Sequence, residues 1–262
     1  MNSAPKCKNA LLIMSGKGGV GKSTLTYLIS QWLSDLTILV IDVDLTGPST
    51  PFLYHGIDKS SQIIEQDQNG NWIANKISDN LYLISLGLLL KGSDDAVIWR
   101  GPRKTSMIEE IISRTTTPKI PDLVLIDTPP GTSDEHIATI QTLKKNMINI
   151  SALLVSTQAV LSTSDVRRQA TFCSKLELPI LGLVENMSNY QCEKCHNCID
   201  VFGTADAGKH LAEQLNIPYL GSIPFSADIQ EIGISSKLQA MQITNYSATN
   251  LINSIKTFIN QN

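Results

Sequence analysis

The chain has 262 residues, 42% of them hydrophobic, with 21 basic against 24 acidic side chains and a net charge of −3. At roughly 100–200 residues per domain this is one large domain or two small ones, long enough to bury a full core without staples. Proteins that grip phosphate backbones show a basic excess or stripe, and this composition has none, so no nucleic-acid partner is expected. The longest near-apolar run, LYLISLGLLL at 81–90, is well short of the ~20 residues that span a bilayer, so no membrane partner is expected either. The amino-terminal stretch MNSAPKCKNALLIMSGK carries too short an apolar run for a signal peptide. Five cysteines, three of them within seven residues, do not suit a secreted disulfide framework. The composition points to a soluble, intracellular, globular protein.

Strand and helix patterns alternate along the chain. ALLIMS at 10–15 reads as a strand, followed by a Gly-rich turn. A helix from Lys22 to Ser34 then places Leu25, Leu28, Ile29, Trp32 and Leu33 on one face. TILVID at 37–42 is apolar without alternation, which suits a parallel strand covered on both faces. Asn69-Gly70 marks a tight turn in a small decorating hairpin at 62–77. Further strands are expected at 81–86, 122–127, 151–156, 180–186 and 219–224, with helices at 103–114, 134–145, 163–176 and 206–215 between most of them. The alternation predicts an α/β fold, a doubly wound and mostly parallel sheet with helices on both faces. No linker or repeat divides residues 1–262, so one domain is expected, carrying a cysteine loop at about 187–203.

Residues 16–24, GKGGVGKST, satisfy G-x-x-x-x-G-K-S/T directly after a strand and before a helix. Gly16, Gly18, Gly19 and Gly21, with Val20 among them, let backbone N–H groups turn inward around phosphate oxygens. Lys22 brings a positive charge to the β- and γ-phosphates, Ser23 can ligate Mg²⁺, and Thr24 can reach the α-phosphate. The helix amino terminus adds its dipole. Two further loops follow predicted parallel strands at their carboxyl ends, where α/β sheets bind ligands: DVDLTGPSTP (42–51) and TPPGTSDEH (128–136). Asp127 closes an apolar strand, as a Mg²⁺-holding carboxylate should. The guanine motif N-K-x-D is not completed, since Asn75-Lys76-Ile77-Ser78 lacks its aspartate.

QCEKCHNCIDVFG places Cys192, Cys195 and Cys198 in C-x2-C-x2-C, the first three positions of a ferredoxin run. The fourth position is Phe202, so a four-thiolate site needs help. In a two-fold dimer, two cysteines from each chain supply four ligands. That arithmetic fits a bridging 4Fe–4S cluster or a structural zinc, and thiolate softness suits both. Three cysteines with His196 also make a tetrahedral zinc site within one chain. Cys7, in an expected mobile tail, and Cys173, a small packed hydrophobe on the 163–176 helix, are expected to bind nothing.

Lys17, directly after the first glycine, resembles the deviant Walker A signature of the ATPases that include ParA, MinD and the nitrogenase iron protein. That resemblance implies ATP-dependent dimerisation, with Lys17 reaching the partner's nucleotide. It also implies that Asp44 positions or activates the attacking water and that Asn186, in VENMS, recognises adenine, favouring ATP over GTP. Taken together, GKGGVGKST, DVDLTGPSTP, WRGP (99–102), LIDTPPGTSDEH, VENMS and the cysteine pair resemble the Mrp/NUBP branch of these ATPases, from about residue 9 to about 227. With only Cys7 ahead of the phosphate loop, the chain is similar to the branch's short subunit.

The resemblance implies an ATP-hydrolysing scaffold that assembles a labile, dimer-bridging 4Fe–4S cluster and transfers it to cytosolic and nuclear apo-proteins. Its cofactors would be ATP, Mg²⁺ and the 4Fe–4S cluster, the last held by Cys192 and Cys195 with Cys198 as an auxiliary thiol. Its partners would be a second copy of the chain or the long NUBP-type subunit, the recipient apo-proteins, and late-acting targeting factors. Its location would be the cytoplasm, with access to the nucleus. Two departures stand out: Glu193 replaces the usual proline after the first cysteine, and the later glycine-rich run is reduced to GTADAG (203–208). No role is assigned to Arg100. The alternative is a zinc-bridged ATPase that targets tail-anchored proteins, whose client groove is often Met-rich; the six methionines here are scattered singly. A membrane-positioning ATPase would carry a basic amphipathic tail. The NLINSIKTFINQN tail has one lysine and is expected to pack on the sheet through Leu251, Ile252, Ile255, Phe258 and Ile259.

Overall fold

The computed structural model describes residues 7–44, 49–54, 64–89, 101–146, 149–191, 198–199, 206–225, 229 and 246–260. In chain order the elements are β1 (Asn9–Met14), α1 (Lys22–Trp32), β2 (Ile38–Asp42), α2 (Thr50–Leu53), β3 (Trp72–Ile73), β4 (Asn75–Ser78) and β5 (Leu81–Ser85). A 3-10 turn at Leu86–Leu89 precedes α3 (Gly101–Arg114), β6 (Thr115–Thr116), β7 (Leu123–Asp127), α4 (Asp134–Lys145) and β8 (Asn149–Ser156). Then come α5 (Val160–Lys175), β9 (Ile180–Gln191), β10 (Cys198–Ile199), α6 (Ala207–Leu215), β11 (Tyr219–Phe225) and α7 (Tyr246–Asn260). The expected α/β class is the one found, a mostly parallel central sheet flanked by helices.

The chain sorts into two compact units that alternate along the sequence. The first comprises Met1–Leu12, Leu25–Pro129 and Ser133–Ile150; the second comprises Ile13–Thr24, Pro130–Thr132 and Ser151–Asn262. In the first, β2 lies between β5 and β7, parallel to both, and β4 adds an antiparallel edge to β5. Leu39, Val40, Ile41, Leu83, Ile84, Leu125 and Ile126 are almost wholly buried, which explains why β2 and β7 read as unbroken apolar runs. The register has a chemical consequence: Asp42 stands opposite both Ser85 and Asp127, so three polar side chains end three adjacent strands together. In the second unit β9 lies between β8 and β11, parallel to both, and β10 folds back antiparallel on its far end. α7 packs against β11 and β9 through Ala248, Leu251, Ile255 and Phe258, as the apolar stripe of the tail predicts.

Several expectations need correction. Trp32 is half-buried, outside the fully covered stripe of Leu25, Leu28, Ile29 and Leu33. The Asn69-Gly70 turn forms, with Gly70 at φ 74° and its N–H donating to the Asp67 carbonyl at 3.0 Å. Across it Gln66 pairs with Trp72, the Asp67 N–H donates to the Asn71 carbonyl and the Ile73 N–H to the Glu65 carbonyl, both at 2.9 Å; the hairpin is short, however, for β3 also pairs in parallel with β6, and β4 joins β5. The alternation of β4, exposed at Lys76 and Ser78, is that of an edge strand, which the hairpin assignment hid. Residues 62 and 63 of that stretch lie outside the described residues. Cys7 does not belong to a mobile tail: it is 4% exposed, and its thiol donates to the Asn9 carbonyl at 3.2 Å. Burial raises the Cys7 thiol to about 11. Cys173 is fully buried on α5, raised by burial to about 12, as a packed hydrophobe should be. WRGP is described only from Gly101, which opens α3, so Arg100 lies outside the described residues.

Candidate functional site: a phosphate loop and a carboxylate cluster

The phosphate loop leaves the carboxyl end of β1 and runs into α1, the strand–loop–helix context that the motif needs. Two glycines are required by their surroundings. A Cβ on Gly16 would overlap the Asp165 side chain, and one on Gly21 would overlap the Asn186 amide. Gly21 also adopts φ 88°, a left-handed backbone that side chains disfavour. Gly18 and Gly19, the latter at φ 79°, have nothing within 4 Å of where a Cβ would stand. The backbone at these two exposed glycines is therefore open to approach, as a loop whose N–H groups are to meet phosphate oxygens requires. Val20 and Lys22 are buried, while Ser23 and Thr24 are half-buried in the first turn of α1.

The loop is braced from α5. The Gln169 amide donates to the Ser15 carbonyl at 2.9 Å and to the Gly131 carbonyl at 2.7 Å, and the Gly131 N–H donates to Ser15 at 2.9 Å. The Ser15 hydroxyl donates to the Lys17 carbonyl at 2.8 Å. One helical turn before Gln169, Asp165 pairs with the Lys17 ammonium at 3.2 Å and with Arg168 at 3.3 Å, its own side chain 8% exposed. Lys17, half-exposed, thus rests on a carboxylate of its own chain. Asn186, on β9, donates from its amide to the Val20 carbonyl at 2.8 Å. The sequence singled out Lys17 and Asn186 but missed Asp165 and Gln169; their i,i+4 spacing on one helix face was the only trace of them.

The carboxylates are built on the other unit. Asp42 and Asp127 are both buried at the ends of β2 and β7. Asp42 accepts from the Ser85 hydroxyl at 2.8 Å and from the Asp44 N–H at 3.0 Å. Asp127 accepts from the Thr50 hydroxyl at 2.8 Å, and its carbonyl accepts from the Val43 N–H at 3.0 Å. Burial, and after it the neighbouring Asp127 charge, pushes the Asp42 carboxyl well above its ordinary range. Two buried carboxylates side by side form a donor set suited to a hard divalent cation. Asp44 is half-buried just beyond β2. Ser85 carried no motif and emerges only from the register, whereas Thr50 lies within the DVDLTGPSTP loop and its bond to Asp127 emerges only from the fold.

β9 continues past Asn186 to Gln191, where β10 pairs Cys198 with Gln191 and Ile199 with Tyr190. Cys192 and Cys195 lie outside the described residues, as does the side chain of Cys198.

Comparison with known proteins fits this geometry. Residues 6–260 match the model of the family described as ParA: NUBPL iron-transfer P-loop NTPase. A cytosolic Fe-S cluster assembly factor NUBP2 homolog of Dictyostelium discoideum is 40% identical over 97% of this chain and 94% of its own length. The cytosolic Fe-S cluster assembly factor CFD1 of Saccharomyces cerevisiae is 42% identical over 86% of this chain and 76% of its own. Among solved structures, a nucleotide-binding protein from Archaeoglobus fulgidus in complex with ADP aligns with TM-score 0.71 and 27% identity over 86% of each chain. Matched over nearly its whole length by that family and by relatives of this identity, the chain belongs to the NUBPL-type iron-transfer P-loop NTPases.

Proposed function

We propose that this protein is an ATP-hydrolysing scaffold that assembles a labile 4Fe–4S cluster between two chains and hands it to cytosolic and nuclear apo-proteins. The observation that carries the reading is the path of β9. One strand holds Asn186 against the phosphate loop and runs on to the first cysteine of the C-x2-C-x2-C segment. The relatives named as cytosolic Fe–S cluster assembly factors support the same cargo and compartment.

In this mechanism the loop N–H groups from Gly16 to Thr24 enclose the phosphates of ATP, and Lys22 neutralises charge building on the β- and γ-phosphates. Ser23 and Asp127 are the residues assigned to Mg²⁺, which supplies further charge stabilisation. Thr50 orients the Asp127 carboxylate through its hydroxyl. Asp44 orients the attacking water. Lys17 leaves Asp165 and reaches the nucleotide of the partner, so that dimer closure depends on ATP. Asn186 contributes to the adenine side of the site. The cluster is cargo, held by Cys192 and Cys195 from each of two chains with Cys198 as an auxiliary thiol. The partner chain is a second copy or a long NUBP-type subunit, and late-acting targeting factors receive the loaded complex.

Anaerobic reconstitution with iron and sulfide tests the assignment. The wild type should acquire the broad charge-transfer absorbance of an iron–sulfur centre, and Cys192→Ala or Cys195→Ala should lose it. A cluster that survives both changes would falsify the ligand set.

A further inference from the structure

Two adjacent residues of β9 serve opposite faces of the sheet, since side chains alternate along a strand. Asn186, 4% exposed, donates to the Val20 carbonyl of the phosphate loop, and Gly21 passes so close that no Cβ fits between them. Glu185, 2% exposed, accepts from the Gly208 N–H at 2.5 Å through Oε2. Gly208 is the second residue of α6, so the carboxylate sits against the positive end of that helix. The helix is also close-packed there: a Cβ on Gly208 would stand 2.6 Å from Glu185 Oε2 and 3.1 Å from Glu185 Cβ.

The strand between these contacts has little freedom to absorb a displacement. Glu185 is paired in register with Ser156 of β8 on one side and Ser222 of β11 on the other, and Asn186 with Ile223. The C-x2-C-x2-C segment leaves β9 at Gln191, its last cysteine pairs back on β9 in β10, and the next described residue after Ile199 is Asp206, the cap of α6. Its entry is therefore tied to β9 itself, and its exit to Glu185.

We propose that Glu185 is a positioning residue that transmits the state of the phosphate loop to the cysteine segment, by holding the amino end of α6 to the strand that Asn186 fastens to Val20. This rests on the proposed function, a scaffold whose ATP use serves the cluster held by the cysteine segment, which requires that nucleotide govern that segment, and it names the side chain through which it does so. Loading the loop with a triphosphate shifts Val20 and Asn186, the doubly paired strand carries the shift one residue back, and the Glu185 carboxylate moves α6 with it.

The test uses the metal-free, reduced full chain and a maleimide as the thiol probe. Cys7 and Cys173 are buried and raised to about 11 and 12, so labelling reports on the cysteine segment. In the wild type, a non-hydrolysable ATP analogue with Mg²⁺ should change the labelling rate on the order of fivefold or more relative to nucleotide-free protein. Glu185→Ala should bring that ratio close to one while binding the analogue within a few-fold of the wild type. Glu185→Gln, whose amide oxygen still accepts from Gly208, should keep most of the response. Gly208→Ala approaches the contact from the helix side and should weaken the response even if Glu185→Ala does not fold. A full response in Glu185→Ala or in Gly208→Ala overturns the proposal, and so does loss of analogue binding in Glu185→Ala. A wild type whose labelling ignores nucleotide sinks instead the underlying reading that nucleotide governs the segment.

Discussion

The phosphate loop and the strand-end carboxylates treat charge in opposite ways. At the loop, the half-exposed Lys17 is met by Asp165, which also holds Arg168, and Gln169 ties down the carbonyls of Ser15 and Gly131. At the carboxylates, Asp42 and Asp127 face each other across paired strands with hydroxyl and N–H donors but like charge. The loop is shaped and compensated by the chain itself, whereas the carboxylate cluster holds a repulsion that a divalent cation would relieve. Nucleotide affinity should therefore depend on the shape of the loop, and cation affinity on this stored repulsion.

The comparison is broken most severely by spoiling the loop's shape. Gly21→Ala adds a side chain to a left-handed residue and drives it into the Asn186 amide. A loss of about 2–4 kcal/mol of stability is expected, with nucleotide binding lost by calorimetry, because the strain and the overlap add. A stable Gly21→Ala protein with normal ADP affinity would show that the loop is not built to this tolerance.

The repulsion is probed by Asp42→Asn. A carboxyl whose folded value lies above its ordinary 3.8 favours the folded state most below that pH and loses the contribution as pH rises through the folded value. The variant should therefore match the wild type in acid and exceed it near neutrality in metal-free protein, as read by thermal unfolding. Added Mg²⁺ should narrow the gap. A variant less stable than the wild type at neutral pH would mean that the Ser85 and Asp44 hydrogen bonds outweigh the repulsion.

The smallest effect is expected at Asp165→Asn, which keeps the packing against Gly16 and removes only the charge. Its partners Lys17 and Arg168 are 46% and 80% exposed, so screening limits the change to under about 1 kcal/mol, detectable as a reduced salt dependence of the melting temperature. A larger loss would make the ion pair part of the loop's architecture.

These contrasts also mark what the sequence could say. The phosphate loop was legible because its chemistry fixes residue type and spacing over nine consecutive positions. The strand ends at Asp42 and Asp127 were legible because buried parallel strands leave unbroken apolar runs that stop at a charge. The parts played by Ser85, Thr50, Asp165, Gln169 and Glu185 were not, even where the residue lies in a quoted motif as Thr50 and Glu185 do, since each acts through a partner far away in the chain that only the fold brings to it. β4 was lost because four alternating residues beside an Asn-Gly turn read equally well as one arm of a hairpin. Cys7 misled because a short apolar strand beginning two residues later buries a position that chain-end reasoning leaves exposed.

The central claim is that two chains share an iron–sulfur cluster through Cys192 and Cys195. The most direct measurement is iron, acid-labile sulfide and zinc content of protein purified without oxygen, with the mass of the assembly determined in the same sample. The account predicts a dimer or larger assembly with four iron and four sulfide per pair of chains, and no stoichiometric zinc. A dimer with stoichiometric zinc and neither iron nor sulfide, or a monomer that binds no metal after reconstitution, would contradict it.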